Sequence, residues 1–509
     1  MKRLLTILAF AAALQGCAPI SDPNGGTSAA GLTDAEYMAL SPEQKYAVTN
    51  KLLTTLYKGV SVDDFFNLRQ GLDQPVLLED VNHLEQVKAQ LSAPMQNFGD
   101  TINLVYDKYL YNESMQRNTR AAPMAILQEF PLSKEYYHRW MAYILMNTIL
   151  FSPAYELDSV DHTDVEAVFN TQLVDALDQG EDIRTIVYNH VISQENWRRF
   201  RSPEDNTREM MEIYLKRFRD DEVPLAAIAC KNWYLTDDRE GYQLRKGANI
   251  NTEPQTLLDR NDIVSCEDFY HALANHQQLI PTITSRLVDV FFAGEPASKR
   301  AAIADNIAAT QPSRFEQIFE AILFSKEYLF NTSRTKSYEE TLYGTGSRIH
   351  WYAWYYMFHD INDNNPGSSR PDLSEIRQAN MKYKLGRANE VPTDSLALAY
   401  YHKSIRDRLM LDRRYSTDPG NTGDGGWATS FISPDDGNVD ALSDDDYIHY
   451  LMLSTVGRKA NPTELAALRQ IINDNGYQNS RTNQAWIVMD YASRLTELYT
   501  LPAISGGAQ

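Results

Sequence analysis

The residues most suited to acid–base work are Arg208, Glu209 and Glu212. At helical spacing Glu209 and Glu212 stand three apart, so they occupy neighbouring positions on one face. Such a carboxylate pair can hold a metal or divide acid and base roles. A structural Arg–Glu network inside a helical bundle competes with that reading and is preferred. His271 and His276 lie five apart, with Cys266 and Glu267 upstream, and that spacing does not gather all four on one helical face. His-x-x-x-His and His-Glu-x-x-His are both missing, so a zinc-protease site is not expected. His276 reads as a cap or core residue. Asp360 to Asn365 begins like a calcium-binding loop, but Asn365 and Pro371 replace the required glycine and glutamate. Asp435, Asp436, Asn438 and Asp440 are acidic enough for loose calcium binding and no more. Gly344-Thr345-Gly346-Ser347 lacks the rest of a phosphate loop, and no Gly-x-Ser-x-Gly elbow or haem-attachment motif occurs. The expectation is no metal, no cofactor and no intact catalytic signature.

The most aromatic stretch, Tyr343 to Phe358, carries Trp351, Trp354 and Tyr355. Those rings form a candidate binding surface for sugar rings or a partner peptide, with a buried helix as the plainer alternative. The chain has 48 Lys and Arg against 68 Asp and Glu over 509 residues, a net charge of −20. A nucleic-acid partner is therefore not expected, since phosphate binding needs a basic face.

One residue type points to covalent modification. Lys2 and Arg3 precede an apolar run from Leu4 to Leu14, too short to cross a bilayer but suited to a secretory signal. Leu14-Gln15-Gly16-Cys17 follows and resembles the lipobox of bacterial lipoproteins. The resemblance implies cleavage between Gly16 and Cys17 and a lipidated Cys17. Ala18, in place of an aspartate, implies the outer membrane by the same analogy. Residues 17–31 then read as a flexible tether. Acyl chains would carry the attachment, because anionic lipid repels so acidic a body. In an oxidising compartment Cys230 and Cys266 are either a disulfide or two buried thiols.

The positioning elements read as mainly α: an irregular multi-helix bundle with long loops and no transmembrane helix in the mature chain. Trp140 to Phe151 is apolar all round, as a buried helix should be. Phe269 to Phe292 reads as two helices broken at Pro281. Ser41-Pro42 marks a helix start, and Ser443 before three aspartates marks another. A phrase recurs in which serine follows an apolar residue and precedes an aromatic: Ser133 to Tyr136, Ser325 to Tyr328, and more loosely Ser152 to Tyr155 and Ser193 to Trp197. It predicts a helix end, a serine cap and a new turn. Alternating strand-like runs are scarce. The organisation expected is a signal over 1–16, a tether over 17–31, a main helical body over 32–337, a loop-rich middle over 338–441, and a final helical pair within 442–509.

Residues 204–340 resemble the domain-of-unknown-function 1800 family, often exported bacterial proteins. Arg208-Glu209-Met210-Met211-Glu212-Ile213 matches the core of its Arg-Glu helix, with Asp205 at the family's asparagine position and Asn206 one later. Ala227 to Trp233 keeps an alanine-rich helix and its tryptophan but lacks the glycine. Leu273-Ala274-Asn275-His276 matches a helix start, with Gln277 for the usual proline. Ile322 to Tyr328, Lys336 and Glu340 resemble the family's last elements. The resemblance implies a helical fold and an envelope role, often beside a second exported family, and it implies no catalytic residues. The function expected is an outer-membrane lipoprotein serving as a non-catalytic binding or assembly module for an envelope protein or exported polymer. The alternative is an envelope hydrolase cutting a glycan or peptide in a carboxylate-lined cleft. The oligomeric state stays open.

Overall fold

The computed structural model describes residues 31–60, 81–96, 98, 99, 130–150, 166–238, 241–337, 340, 341, 344 and 442–504. Gly16, Cys17, Trp351, Trp354, Tyr355, Ser152 and both calcium-like loops lie outside the described residues.

The described chain is mainly α, as its periodicity predicts, and no described helix is long and apolar enough to cross a membrane. Serine and threonine caps start the early helices. Thr33 and Ser41 close capping boxes on α1 (Asp34–Met38) and α2 (Pro42–Thr55), each satisfying otherwise unpaired first-turn N–H groups. α3 (His83–Ser92) lies against α4 (Lys134–Thr148), whose cap Ser133 accepts the N–H of Tyr136. Its Trp140 packs among Tyr137, Phe319 and Phe291, within 5.3–6.0 Å of each ring centre.

A π-helical stretch, Glu166–Val174, runs into α5 (Asp175–Asp178). α6 (Ile183–Val191), α7 (Gln194–Arg199), α8 (Pro203–Leu215) and α9 (Val223–Ala229) follow. Ser193 caps α7 through the N–H of Asn196, and Ser202 caps α8 through that of Asp205.

Two hairpins then interrupt the helices, and the sequence reading missed both. β1 (Trp233–Asp238) pairs antiparallel with β2 (Gly241–Lys246). β3 (Gln255–Leu257) pairs with β4 (Arg260–Ile263) through a two-residue loop, Leu258-Asp259, in which φ is +53° and +61°. That is the I′ geometry matching strand twist, reached without the asparagine–glycine pair that announces it.

α10 (Cys266–Asn275) and α11 (Leu279–Phe291) come next. The break falls at His276 to Gln278 rather than at Pro281. Pro281 sits in the first turn of α11, where a missing N–H costs nothing because that group has no helical acceptor. α12 (Ala297–Ala309) packs on α11, and α13 (Phe315–Leu323) leads through Ser325 into a π turn, Glu327–Asn331, where Ser325 accepts the N–H of Tyr328.

The C-terminal segment has three helices instead of the expected pair: α14 (Asp444–Val456), α15 (Pro462–Asp474) and α16 (Arg481–Ala492). Gly457, at φ +77°, ends α14, and Asn461-Pro462 restarts the chain with a capping box. α14 is buried along its length from Tyr447 to Val456. These helices share one apolar core with the main body. Tyr46 donates to the carbonyl of Leu453 (2.9 Å), and β5 (Arg334–Thr335) pairs with β6 (Thr500–Leu501).

Candidate functional site

Glu209 and Glu212 project from α8 half-buried, and Arg208 is exposed. Among the described residues neither glutamate makes a direct ion pair, although the charges of Arg199 and Arg208 both act on Glu209. One physical reason lies in the order along the helix, since arginine four residues before glutamate opposes the macrodipole and is the weaker arrangement. Burial, then the charge of Glu212, raises the Glu209 carboxyl above its usual range, while Arg199 works the other way. The structure thus brings the two carboxylates together on one face.

His276 follows α10 as its cap residue, and its Nδ1 accepts the N–H of Gln278 (3.0 Å). That fixes the proton on Nε2, which donates to Asp259 (3.2 Å) in the β3–β4 turn. Arg217 binds Glu222 through two N–H groups (2.6 and 2.8 Å) and reaches Asp259 as well (3.1 Å). The four side chains therefore fasten the turn to the loop between α8 and α9.

His190 on α6 bonds Gln172 (2.8 Å), and burial followed by the charge of Arg199 drives its pKa down to about 3, so it stays neutral. His138, which the sequence reading passed over, holds its Nδ1 against Asp178 and its Nε2 3.6 Å from Glu316. Its side chain is only 4% exposed, which shuts a substrate out. An imidazole held between two carboxylates there links α4, α5 and α13.

Cys230 and Cys266 form a disulfide between the end of α9 and the start of α10. Beside it Trp233 and Trp197 lie 5.4 Å apart, and Tyr270, 5.9 Å from Trp233, donates to the buried Asn206 (2.6 Å). The motif residues Trp233 and Asn206 are thus core components.

Among the described residues a concave site lies on the helical hairpin α15–α16. A half-open groove of about 370 Å³ has a floor of Leu468 and Ile487, and Ile471 stands exposed at its edge. Three aromatic rings line it: Tyr477, Trp486 and Tyr491. Asn475, Asp490 and Arg494 form a polar fringe. Local chemistry sets each of these. Gly476 takes φ +70°, and the N–H groups of Gly476 and Tyr477 return to the carbonyls of Asn473 and Ile472. That Schellman turn ends α15 and aims the chain so that Tyr477 enters the groove.

Tyr491 donates to Glu464 (2.8 Å), and burial together with that bond raises its pKa to about 12. Glu464 in turn takes two N–H groups of Arg458 (2.8 and 2.9 Å), which hold its carboxyl down at about 2. Asp490 in the last turn of α16 and Arg494, just past the helix end, pair at 2.8 Å. Asn475 gives its side-chain N–H to the carbonyl of Ile471 (2.8 Å). The rings and polar groups are therefore positioned before any ligand arrives, which lowers the ordering cost of binding. None of these residues was singled out from the sequence. The signals were an amphipathic Pro462–Asp474 segment and a glycine ahead of an aromatic, both too common to stand out.

No described group of His, Cys, Asp or Glu side chains has the arrangement of a metal site. No protein-family model, curated protein or solved structure matches this chain.

Proposed function

We propose that the chain is an outer-membrane lipoprotein, anchored through Cys17, whose helical body is a binding or assembly module for an envelope protein or exported polymer. The observation that carries the binding part is the preformed groove on α15–α16, where aromatic rings and charged groups converge on one open hollow. The anchoring part rests on the order of basic residues, apolar run, Gly16-Cys17 and tether in the sequence.

Two measurements test the reading. Membrane fractionation should recover the chain with the outer membrane, and Cys17→Ala should release it. Capture from detergent-solubilised envelopes should return a stoichiometric partner that Trp486→Ala loses. Recovery of the bare chain in repeated captures would count against the module.

The alternative, an envelope hydrolase, draws on the raised Glu209 carboxyl beside Glu212. A carboxyl whose proton is held more tightly by burial and by a neighbouring acid is the kind of group that acid-assisted bond cleavage uses. Glycan or peptide turnover abolished by Glu209→Gln would establish it, and turnover unchanged by that substitution would dismiss these residues.

A further inference from the structure

We infer that the α15–α16 groove takes a short stretch of a neutral hexopyranose chain, with sugar rings stacked on Trp486 and Tyr477. The inference rests on the binding-module reading and narrows its ligand. A pyranose has two unlike surfaces: C–H faces that suit the electron-rich face of an aromatic ring, and an edge of hydroxyls that both donate and accept. The groove offers the same two characters. Aromatic rings line it, and its fringe holds a carboxylate acceptor at Asp490, guanidinium donors at Arg494 and an amide at Asn475.

Charge favours a neutral sugar. The Arg494 guanidinium already faces Asp490, so an incoming phosphate or uronate would meet a carboxylate with its counter-charge engaged. The chain's net charge of −20 acts in the same sense at longer range. A peptide fits less well. The walls are helices, so no strand edge is available to pair with an extended backbone. The volume of about 370 Å³ lies at the small end of ligand clefts, sized for a few rings rather than a long helix.

The test uses the full lipidated chain in a detergent without a sugar headgroup. Cellotetraose, maltotetraose, chitotetraose and mannotetraose are each offered in saturation-transfer NMR. At least one should take up saturation at its ring C–H protons. Trp486→Ala should weaken that binding about tenfold or more, as loss of a central aromatic anchor does. Arg494→Ala, at an exposed side chain, should weaken it several-fold with the fold unchanged by circular dichroism, and Trp486→Phe should keep most of it. No saturation of any of the four sugars overturns the inference. So does binding indifferent to Trp486→Ala and Arg494→Ala, or an apolar peptide that fills the groove and is not displaced by sugar. If the sugars fail while an envelope partner is still captured and lost in Trp486→Ala, the carbohydrate falls and the module stands. If capture fails as well, both fall.

Discussion

Arg334 and Glu340 show how single residues hold this protein. The two are buried, share two hydrogen bonds (2.7 and 2.5 Å), and Arg334 also donates to Tyr328 (2.8 Å). Removing one partner leaves a buried charge uncompensated. Glu340→Ala should therefore cost about 3–5 kcal/mol in denaturant unfolding, and Arg334→Met with Glu340→Leu together should cost less than either single change. Lys51 is the neighbouring case. Its ammonium donates to the carbonyls of Thr332 (2.5 Å) and Pro502 (3.1 Å). Burial first, then the charge of Arg334, pushes its pKa down to about 7. The unfolded chain holds that proton up to the ordinary lysine range, so between about pH 7 and 10 the unfolded state binds more protons than the native one. Stability should climb across that window, by at most about 1.4 kcal/mol per pH unit, and the climb should vanish in Lys51→Met. A flat profile in the parent chain would contradict the buried ammonium.

Elements depend on a few backbone positions. Gly476 sits in the left-handed region with nothing near the place a Cβ would occupy, so the cost of substitution there is conformational rather than steric. Gly476→Ala should destabilise by about 1 kcal/mol and turn Tyr477 away from the groove, read as loss of ligand or partner binding beyond the stability change. Ser133 makes the same point at a helix start. Its hydroxyl satisfies the N–H of Tyr136 (3.1 Å) in a buried setting, and Ser133→Ala should cost about 1 kcal/mol in thermal or denaturant unfolding.

At the scale of the molecule, two distant closures tie the chain. The Cys230–Cys266 disulfide spans 36 residues. By loop entropy its removal should cost about 4 kcal/mol, measured as the drop in unfolding free energy of Cys230→Ala with Cys266→Ala. The second closure is the C-terminus. β6 pairs with β5, the backbone N–H of Lys336 donates to Tyr499 (2.8 Å), and Ile504 returns to Phe330 (2.6 Å). Deleting residues from Thr500 onward removes the β5–β6 pairing, the Ile504 bond and one acceptor of Lys51. The truncated chain should unfold at lower denaturant, and Lys51→Met should recover part of the loss.

By itself the sequence determined the helical class, the caps at Ser41, Ser133, Ser193, Ser325 and Ser443, and the buried character of Trp140 and its neighbours. These are local matters: a serine before an N–H that lacks an acceptor, or an apolar run with no polar face, means much the same in any surroundings. Tertiary structure alone decided that Pro281 would open a helix rather than break one, and that Leu258-Asp259 would take a strained turn under the grip of Arg217 and His276. It also clamped His138 between acids from two other helices. The groove belongs to this second kind. Its rings and charges come from two antiparallel helices and the turn between them, and only packing brings them to one hollow, because convergence depends on distances between segments that no spacing along the chain encodes.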